Sequence, residues 1–365
     1  MKLLYITNGI SGSAGLERVL SIKTKYLADQ FDYEIHILVL NHNDAAIFYE
    51  FSPKVILHDI KVFGSSFQYL KQYIYGIRQV IKKVQPDIIL VCDDGLKGFF
   101  LPIINPISCK TIYERHVSKN VELISNGSLI SKIKVSLKFS LMNQLAKKFN
   151  RFVVLTNDNK TEWKTNNMVV ISNPLSFYPQ EKALLCNKKI IAVGRHNYQK
   201  GFDLLLQAWK IINKKHSDWH LEIYGKKDSN LALDLLANKL DINKTVHFYD
   251  PVKNIEQKYL EASIYALSSR FEGFGMVLIE AMACGLPCVS FDCPCGPKDI
   301  ITDNQDGFLV NNGDVQMFAK KIMILIENQE LRKNLGNSAK NNVTRFLPEK
   351  IASQWHNLFI EITSN

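Results

Sequence analysis

No run of apolar residues in this 365-residue chain approaches the roughly 20 needed to span a bilayer; the best uncharged candidate, Gly98 to Cys109, contains two prolines. An integral membrane protein is therefore not expected. A secretory leader is not expected either, because Lys2-Leu3-Leu4-Tyr5-Ile6-Thr7, followed by Asn8-Gly9, is too short an apolar run and reads as a first buried strand. The chain is expected to stay in the cytoplasm. Its seven cysteines, an odd number, argue for free thiols rather than a disulfide framework. Four of them crowd together, yet Cys284 would end a helix, Cys288 would lie in a strand, and only Cys293 and Cys295 share a loop, so no zinc site is expected. Asp93-Asp94 has no second ligand cluster beside it and reads as a strand-end cap or an interdomain polar contact rather than a metal site. Low-complexity tracts, internal repeats and disordered tails are absent. So are the sequence signatures of nucleic-acid binding modules, and Gly9, Gly12 and Gly15 do not make the Gly-x-Gly-x-x-Gly fingerprint of a dehydrogenase.

What the chain does have is positive charge in the wrong proportion for its two halves. Net charge is +10; residues 1–171 carry 22 Lys+Arg against 14 Asp+Glu, whereas residues 172–365 carry 23 against 21. Between Leu123 and Asn157 stand Lys132, Lys134, Lys138, Lys147, Lys148 and Arg151 with no acid among them. Ile133, Leu137, Leu141 and Leu145 form a stripe at helical spacing there, so this helix either docks on its own domain or dips into lipid headgroups. A second basic amphipathic stretch, Gln68 to Lys83, interleaves Tyr69, Tyr73, Ile74, Ile77 and Ile81 with Lys71, Arg78, Lys82 and Lys83. Two such stretches in one half favour an anionic membrane surface or a polyanionic acceptor as partner, and peripheral attachment to the inner face of the cytoplasmic membrane.

With 46% hydrophobic residues, a chain of this length can bury two cores. Strand-like runs alternate with helix-like ones, the pattern of parallel sheets wound by right-handed crossovers. The first half offers Leu3–Thr7, Glu34–Leu40, Val55–His58, Asp87–Cys92, Lys110–Tyr113 and Phe152–Leu155 as strands. The second offers Lys189–Val193, His220–Tyr224, Thr245–Phe248, Ile264–Leu267 and Pro287–Phe291. This divides the chain into a domain over 1–171, a proline-containing linker over 172–187 and a second domain over 188–345. A final amphipathic helix follows within 346–365.

The most informative segment is Ser269-Arg270-Phe271-Glu272-Gly273-Phe274-Gly275-Met276, continuing to Glu280 and Gly285. It sets two carboxylates, Glu272 and Glu280, around a glycine-rich approach to a helix whose first amides lack intrahelical partners and suit an anion. The alternative is an ordinary strand-loop-helix connection with two solvated acids. Upstream, Ile190-Ile191-Ala192-Val193-Gly194-Arg195 reads as a strand ending in glycine, and Lys200-Gly201-Phe202-Asp203 opens the next helix. Arg195 and Lys200 thus flank one strand-to-helix turn, where fixed cations would stabilise charge developing on a departing diphosphate; a solvated basic loop is the plainer alternative.

Together, Val193-Gly194-Arg195, Lys200-Gly201-Phe202-Asp203 and the Glu272 to Glu280 spacing resemble the family 4 retaining glycosyltransferases. Supporting pieces are Ser11 to Leu20, Ser172-Asn173-Pro174, Gly296-Pro297-Lys298-Asp299-Ile300-Ile301 and Asp306-Gly307-Phe308-Leu309-Val310. The resemblance implies an α/β fold of two Rossmann-like doubly wound domains facing a central cleft, the GT-B arrangement, with the last helix crossing back to the first domain. It implies donor binding by the second domain: Arg195 and Lys200 on the diphosphate, Glu280 on the ribose hydroxyls, Glu272 on the transferred sugar. Backbone groups of Phe274, Gly275 and Met276 complete the contacts, Val252 meets the base through its main chain, and Gly15 approaches the phosphates or simply turns the chain into its helix. His116, beyond a strand end, is the implied first-domain partner of the sugar; a surface histidine is the alternative. The implied reaction moves a hexose or N-acetylhexosamine from a nucleotide-diphosphate donor, UDP-linked, with retention of configuration. Its acceptor is a lipid-linked or growing oligosaccharide of a bacterial surface polysaccharide. Neither cofactor nor metal is implied. An epimerase-like or phosphorylase-like enzyme of the same scaffold and an inactive sugar-nucleotide-binding module are the competing readings.

Overall fold

The computed structural model describes residues 1–12, 15–43, 45–119, 129–228 and 232–364, with the backbone alone over 129–132. Ser13 and Ala14 of the first turn, residues 123–128 of the acid-free stretch and the side chain of Lys132 lie outside the described residues. Two compact units divide the chain: Met1–Ser176 with Pro348–Asn365, and Phe177–Leu347.

The first unit is built on β1 (Lys2–Thr7), β2 (Glu34–Leu40), β3 (Ile56–Ile60), β4 (Ile88–Cys92), β5 (Lys110–Arg115), β6 (Arg151–Val154) and β7 (Met168–Val170). The second carries β8 (Lys189–Val193), β9 (His220–Tyr224), β10 (Val246–Tyr249), β11 (Ile264–Leu267), β12 (Cys288–Asp292) and β13 (Gly307–Asn311). Helices of eight residues or more are α1 (Gly15–Gln30), α2 (Ser66–Val84) and α3 (Leu129–Ala146), then α4 (Phe202–Asn213), α5 (Met276–Ala283), α6 (Val315–Glu327), α7 (Gln329–Asn342) and α8 (Pro348–Ser364).

Both sheets are parallel throughout and share one order: β3-β2-β1-β4-β5-β6-β7 in the first unit and β10-β9-β8-β11-β12-β13 in the second. That is the Rossmann order, whose direction reverses between β1 and β4 and again between β8 and β11. Central strands covered on both faces must be apolar on both, and β1, β4 and β11 are buried along nearly their whole length. Two strands escaped the sequence reading, β7 and β13, each short and at a sheet edge. At an edge one partner is missing, so β7 has only three residues, all half-buried, and its pattern is weak.

The segment read as a linker is split by its packing. Ala183 and Leu185 are buried, and the Ala183 amide donates to the Cys284 carbonyl at 2.8 Å, so the chain from Phe177 onward belongs to the second unit. Of the stripe expected on α3, Leu145 reaches the core and Ile133, Leu137 and Leu141 do not. Phe139, Met142, Leu145 and Ala146 are the residues buried against the sheet, while Ile133, Leu137 and Leu141 are 52%, 66% and 42% exposed. The helix carries apolar residues on two adjoining faces, and the face with the bulky Phe139 and Met142 docks.

The last helix packs on α1 within the first unit. Its Ile351, Ala352, Trp355, Leu358, Phe359 and Ile362 are buried at helical spacing. His356 stacks on Phe31 at 4.3 Å and shares a 2.6 Å hydrogen bond with the Tyr33 hydroxyl. Trp355 lies over the Lys23 ammonium, 4.3 Å from ring centroid to Nζ. Trp355→Ala should destabilise the first unit by about 3–5 kcal/mol, the range for losing a buried large aromatic. Denaturant unfolding followed by amide exchange in β1 measures it, and a loss below about 1 kcal/mol would show that α8 is not part of that core.

Candidate functional site

Three loops meet at the carboxyl end of the second sheet, where its strand order reverses. The loop after β8 runs through Gly194, Arg195 and Asn197, whose side chain caps the 3-10 turn Tyr198–Lys200 by accepting from the Lys200 amide at 3.2 Å. Gly201 follows with φ of +61°, and a Cβ there would stand 2.1 Å from the Ser268 carbonyl oxygen. Only glycine allows α4 to begin so close to the end of β11.

That closeness is stitched by polar contacts from the loop after β11. Arg270 grips Asp203 through two hydrogen bonds of 2.8 and 2.6 Å, donates to the Tyr198 carbonyl at 2.8 Å and stacks on the Tyr198 ring at 4.1 Å. A forked guanidinium fixes both position and orientation of its partner. The Arg270 amide donates to the Gln199 carbonyl at 2.8 Å and Ser268 Oγ to the Lys200 carbonyl at 2.9 Å. Lys200 Nζ is thereby aimed at Glu272 and donates to its Oε1 at 2.7 Å. Ser269 Oγ donates to the same oxygen at 2.6 Å. Glu272 is only 5% exposed, so the carboxylate depends on these donors in place of water.

The third loop, after β12, closes the floor. The Glu272 amide donates to the Pro294 carbonyl at 3.0 Å, and a Cβ on Gly296 would fall 2.0 Å from the Phe274 carbonyl oxygen. Gly275, with φ of +104°, then starts α5; the Leu278 amide already turns back to the Gly275 carbonyl at 2.9 Å, and the Met276 and Val277 amides precede any intrahelical acceptor. Phe274 turns its ring inward against Phe346, centroids 5.5 Å apart, which leaves its main chain as the part facing the turn.

Lys200 and Glu272 are therefore joined directly, and Phe274, Gly275 and Met276 follow Glu272 along the same loop into α5. Arg195 stands in the neighbouring loop, exposed and without an ion-pair partner among the described residues. Glu280 lies one turn into α5, 1% exposed, where the Tyr259 hydroxyl donates to it at 3.4 Å. Val252 is in the loop after β10 and 38% exposed. Gly15 is the first residue of α1; a Cβ there would meet nothing within 4 Å, so packing does not require glycine. The four clustered cysteines are buried and form no disulfide, and burial pushes the thiols of Cys284, Cys288 and Cys293 up.

In the first unit, Asp93 and Asp94 serve as strand-end caps. Asp93 accepts from Asn8 Nδ2 at 3.0 Å and from the Gly95 amide at 2.7 Å; Asp94 accepts from the His116 amide at 3.2 Å. Burial pushes the Asp93 carboxyl up. His116 sits just past β5 with Nε2 3.1 Å from Glu114 Oε1. Sequence reasoning did not assign Arg270, Asp203, Ser269 or Lys23 to a site. Arg270 and Ser269 stood inside the conspicuous segment, but Asp203 pairs across 67 positions and Lys23 with Glu114 across 91, separations on which a single sequence carries no signal.

The model of the glycosyl transferases group 1 family matches residues 179–342, inside the second unit. An uncharacterized glycosyltransferase of Haemophilus influenzae is 30% identical over 97% of this chain and 98% of its own length. The amylovoran biosynthesis glycosyltransferase AmsD of Erwinia amylovora is 29% identical, covering 98% of this chain and 99% of that protein. Among solved structures, a TarM variant of S. aureus in complex with fondaparinux, alpha-GlcNAc-glycerol and UDP superposes with a TM-score of 0.81 at 16% identity, over 98% of this chain and 99% of that one. That last likeness is one of fold.

Arg270→Lys keeps the charge but loses the fork that holds Asp203 and the Tyr198 carbonyl. Hydrogen exchange at the Lys200 and Gly201 amides should quicken about ten- to a hundredfold, from the roughly 1.5–3 kcal/mol that charged hydrogen bonds contribute. Unchanged exchange would show that the turn holds Lys200 without the clamp.

Proposed function

This chain belongs to the glycosyl transferases group 1 family, and on that premise we propose that it moves a hexose or N-acetylhexosamine from a UDP-sugar, with retention of configuration. The acceptor is a lipid-linked or growing oligosaccharide in bacterial surface-polysaccharide synthesis. The observation that carries this reading is the Lys200–Glu272 pair at the reversal point of the second sheet, with the exposed Arg195 in the neighbouring loop and the first turn of α5 after it. Cations and helix amides already fixed in place stabilise a departing diphosphate without reorganising as its charge develops. Arg195 offers a forked phosphate contact and Lys200 a point charge. Glu272 then holds hydroxyls of the transferred sugar, and Glu280 those of the ribose. Backbone groups at Phe274, Gly275 and Met276 complete the grip, with Val252 at the base and Gly15 at the phosphates. UDP in the TarM complex and amylovoran synthesis in the name of AmsD support the donor and the product class.

Retention without an enzymic nucleophile follows if the acceptor attacks on the face the diphosphate leaves, with a departing phosphate oxygen taking the acceptor's proton. His116, from the first unit, hydrogen-bonds the donor sugar and shields positive charge at the anomeric carbon. This scheme requires no metal, since Arg195, Lys200 and the α5 amides neutralise the diphosphate.

A peripheral place at an anionic membrane on the cytoplasmic side fits the first unit. Among the described residues no helix is long and apolar enough to cross a membrane. Yet α2 and α3 each join the core of the first unit by one side and leave apolar residues exposed near lysines on the other, Phe67 and Leu70 by Lys71 on α2 and Leu137 and Leu141 by Lys134 on α3. Such a face suits acyl chains and lipid phosphates together.

Incubation with a panel of sugar nucleotides, with and without bacterial lipid extract, should release UDP from one of them, faster with lipid. Glu272→Ala and Arg195→Ala should each cut kcat about a hundredfold or more, the scale of losing one preorganised electrostatic contact. Release that survives both substitutions unchanged would end the site assignment. Separately, Leu137→Glu with Leu141→Glu should abolish co-sedimentation with vesicles containing phosphatidylglycerol and leave turnover of a soluble acceptor intact; undiminished sedimentation would remove α3 from the membrane face.

A further inference from the structure

The first unit buries an ion pair that the scheme above does not use. Lys23, on α1, reaches toward the sheet and places Nζ 2.6 and 2.5 Å from the two carboxylate oxygens of Glu114. The two side chains are 1% and 2% exposed. Tyr5 and Trp355 close over the ammonium with ring centroids 5.0 and 4.3 Å away. Cys92 Sγ donates to Glu114 Oε2 at 3.2 Å. Burial alone would raise the Glu114 carboxyl, but Lys23 and then His116 outweigh it and hold the group well below the usual carboxylate range. A buried ion pair of this kind is weak support for stability in its own right, because desolvation offsets its attraction.

Side chains two apart on a strand share a face, so the chain leaving β5 carries His116 on the side of Glu114. Its Nε2 is buried, 3.1 Å from Glu114 Oε1, and off the axis of a hydrogen bond to any group among the described residues. Its backbone is held from the opposite direction by Asp94, which Arg115 also approaches at 3.5 Å. Glu114 on β5, Lys23 on α1, Cys92 at the end of β4, and Asp94 with Arg115 are thus the titratable and charged groups around this histidine.

We infer that Glu114, anchored by Lys23, is a positioning residue for His116: it fixes the ring with its proton on Nε2 and leaves Nδ1 as the hydrogen-bond acceptor. This rests on the reading of His116 as a participant in transfer. Cys92, Glu114 and His116 also lie within 4.8 Å of one another, close enough for a metal ion. Lys23 already occupies both oxygens of that carboxylate, however, and burial, then the Glu114 charge, pushes the Cys92 thiol up, so that it stays protonated. A divalent cation would have to displace one positive charge and strip a proton at once.

The test uses K23M/E114Q, which removes both charges and leaves no lone ion in the core. In protein labelled with 15N-histidine, His116 should give the Nε2–H signature, and the double variant should show mixed tautomers. Turnover of the UDP-sugar that proves active should fall roughly ten- to a hundredfold in kcat at constant donor KM, as for other carboxylates that orient an imidazole. Adding His116→Gln should then cost nothing more. Thermal unfolding of the double variant within a few degrees of the parent confirms that the core persists; where it does not, E114D, which keeps a negative charge beside Lys23 and draws the carboxylate back from the His116 ring, supplies the same NMR comparison. Unchanged 15N signals, or losses that add with His116→Gln, would overturn the inference. Should the signals shift while His116→Gln alone leaves kcat intact, positioning stands and the role given to His116 in the reaction falls.

Discussion

A carboxylate and an ammonium 2.7 Å apart, Glu272 and Lys200, form the contact on which the second unit's site depends. Glu272 is almost fully withdrawn from water, so it needs a partner, and the partner is held in place by the backbone rather than by its own flexible stem. Asn197 caps the turn beneath Lys200, Gly201 lets that turn press against the end of β11, and Arg270 bolts it to Asp203. Removing one member of such a buried pair leaves the other uncompensated at a cost of about 3–5 kcal/mol. The same rigidity is what makes the charges useful, because groups that do not move need not reorganise when a ligand's charge changes.

The two sheets solve the same packing problem in the same order, and each gathers polar residues where the order reverses. Strands fan apart at that point, and helices on opposite faces leave the strand ends uncovered. In the second unit the place is filled by an ion pair, an exposed arginine and a helix terminus. In the first, Asn8, Asp93 and Asp94 cap the strand ends, and a deeper pair, Lys23 with Glu114, lies beneath the histidine. The first pair is partly open, with Lys200 15% exposed, whereas Lys23 is sealed by the rings of Tyr5 and Trp355. An accessible cation can meet a phosphate; a sealed one can act only through what it touches.

Charge asymmetry between the halves takes a definite form on the first unit. The helices α2 and α3 use one apolar face each for the core, and the leftover apolar residues stand beside lysines. Helix α2 is closed by a capping box between Ser65 and Gln68, so its exposed Phe67 and Leu70 are carried on an ordered first turn.

Much of this was legible along the chain. Alternating runs marked eleven of the strands, because a buried central strand must be apolar whatever its neighbours are, and local spacing brought Glu272, Phe274, Gly275, Met276 and Glu280 onto one loop and helix. Edge strands β7 and β13 fell below that signal, and of the stripe Ile133, Leu137, Leu141 and Leu145 only Leu145 docks, because a helix with two apolar faces gives no sign of which one packs. Sequence alone determined what depends on neighbours a few residues apart: strand periodicity, helix starts, glycines at tight turns and the placing of charge in the first half. Only the tertiary structure decided which cation meets which acid, since Lys200 finds Glu272, Asp203 finds Arg270 and Lys23 finds Glu114 across 72, 67 and 91 positions. Those pairings are fixed by strand order and by the depth at which each side chain is shut off from water, and neither quantity is written in the spacing of residues along the chain.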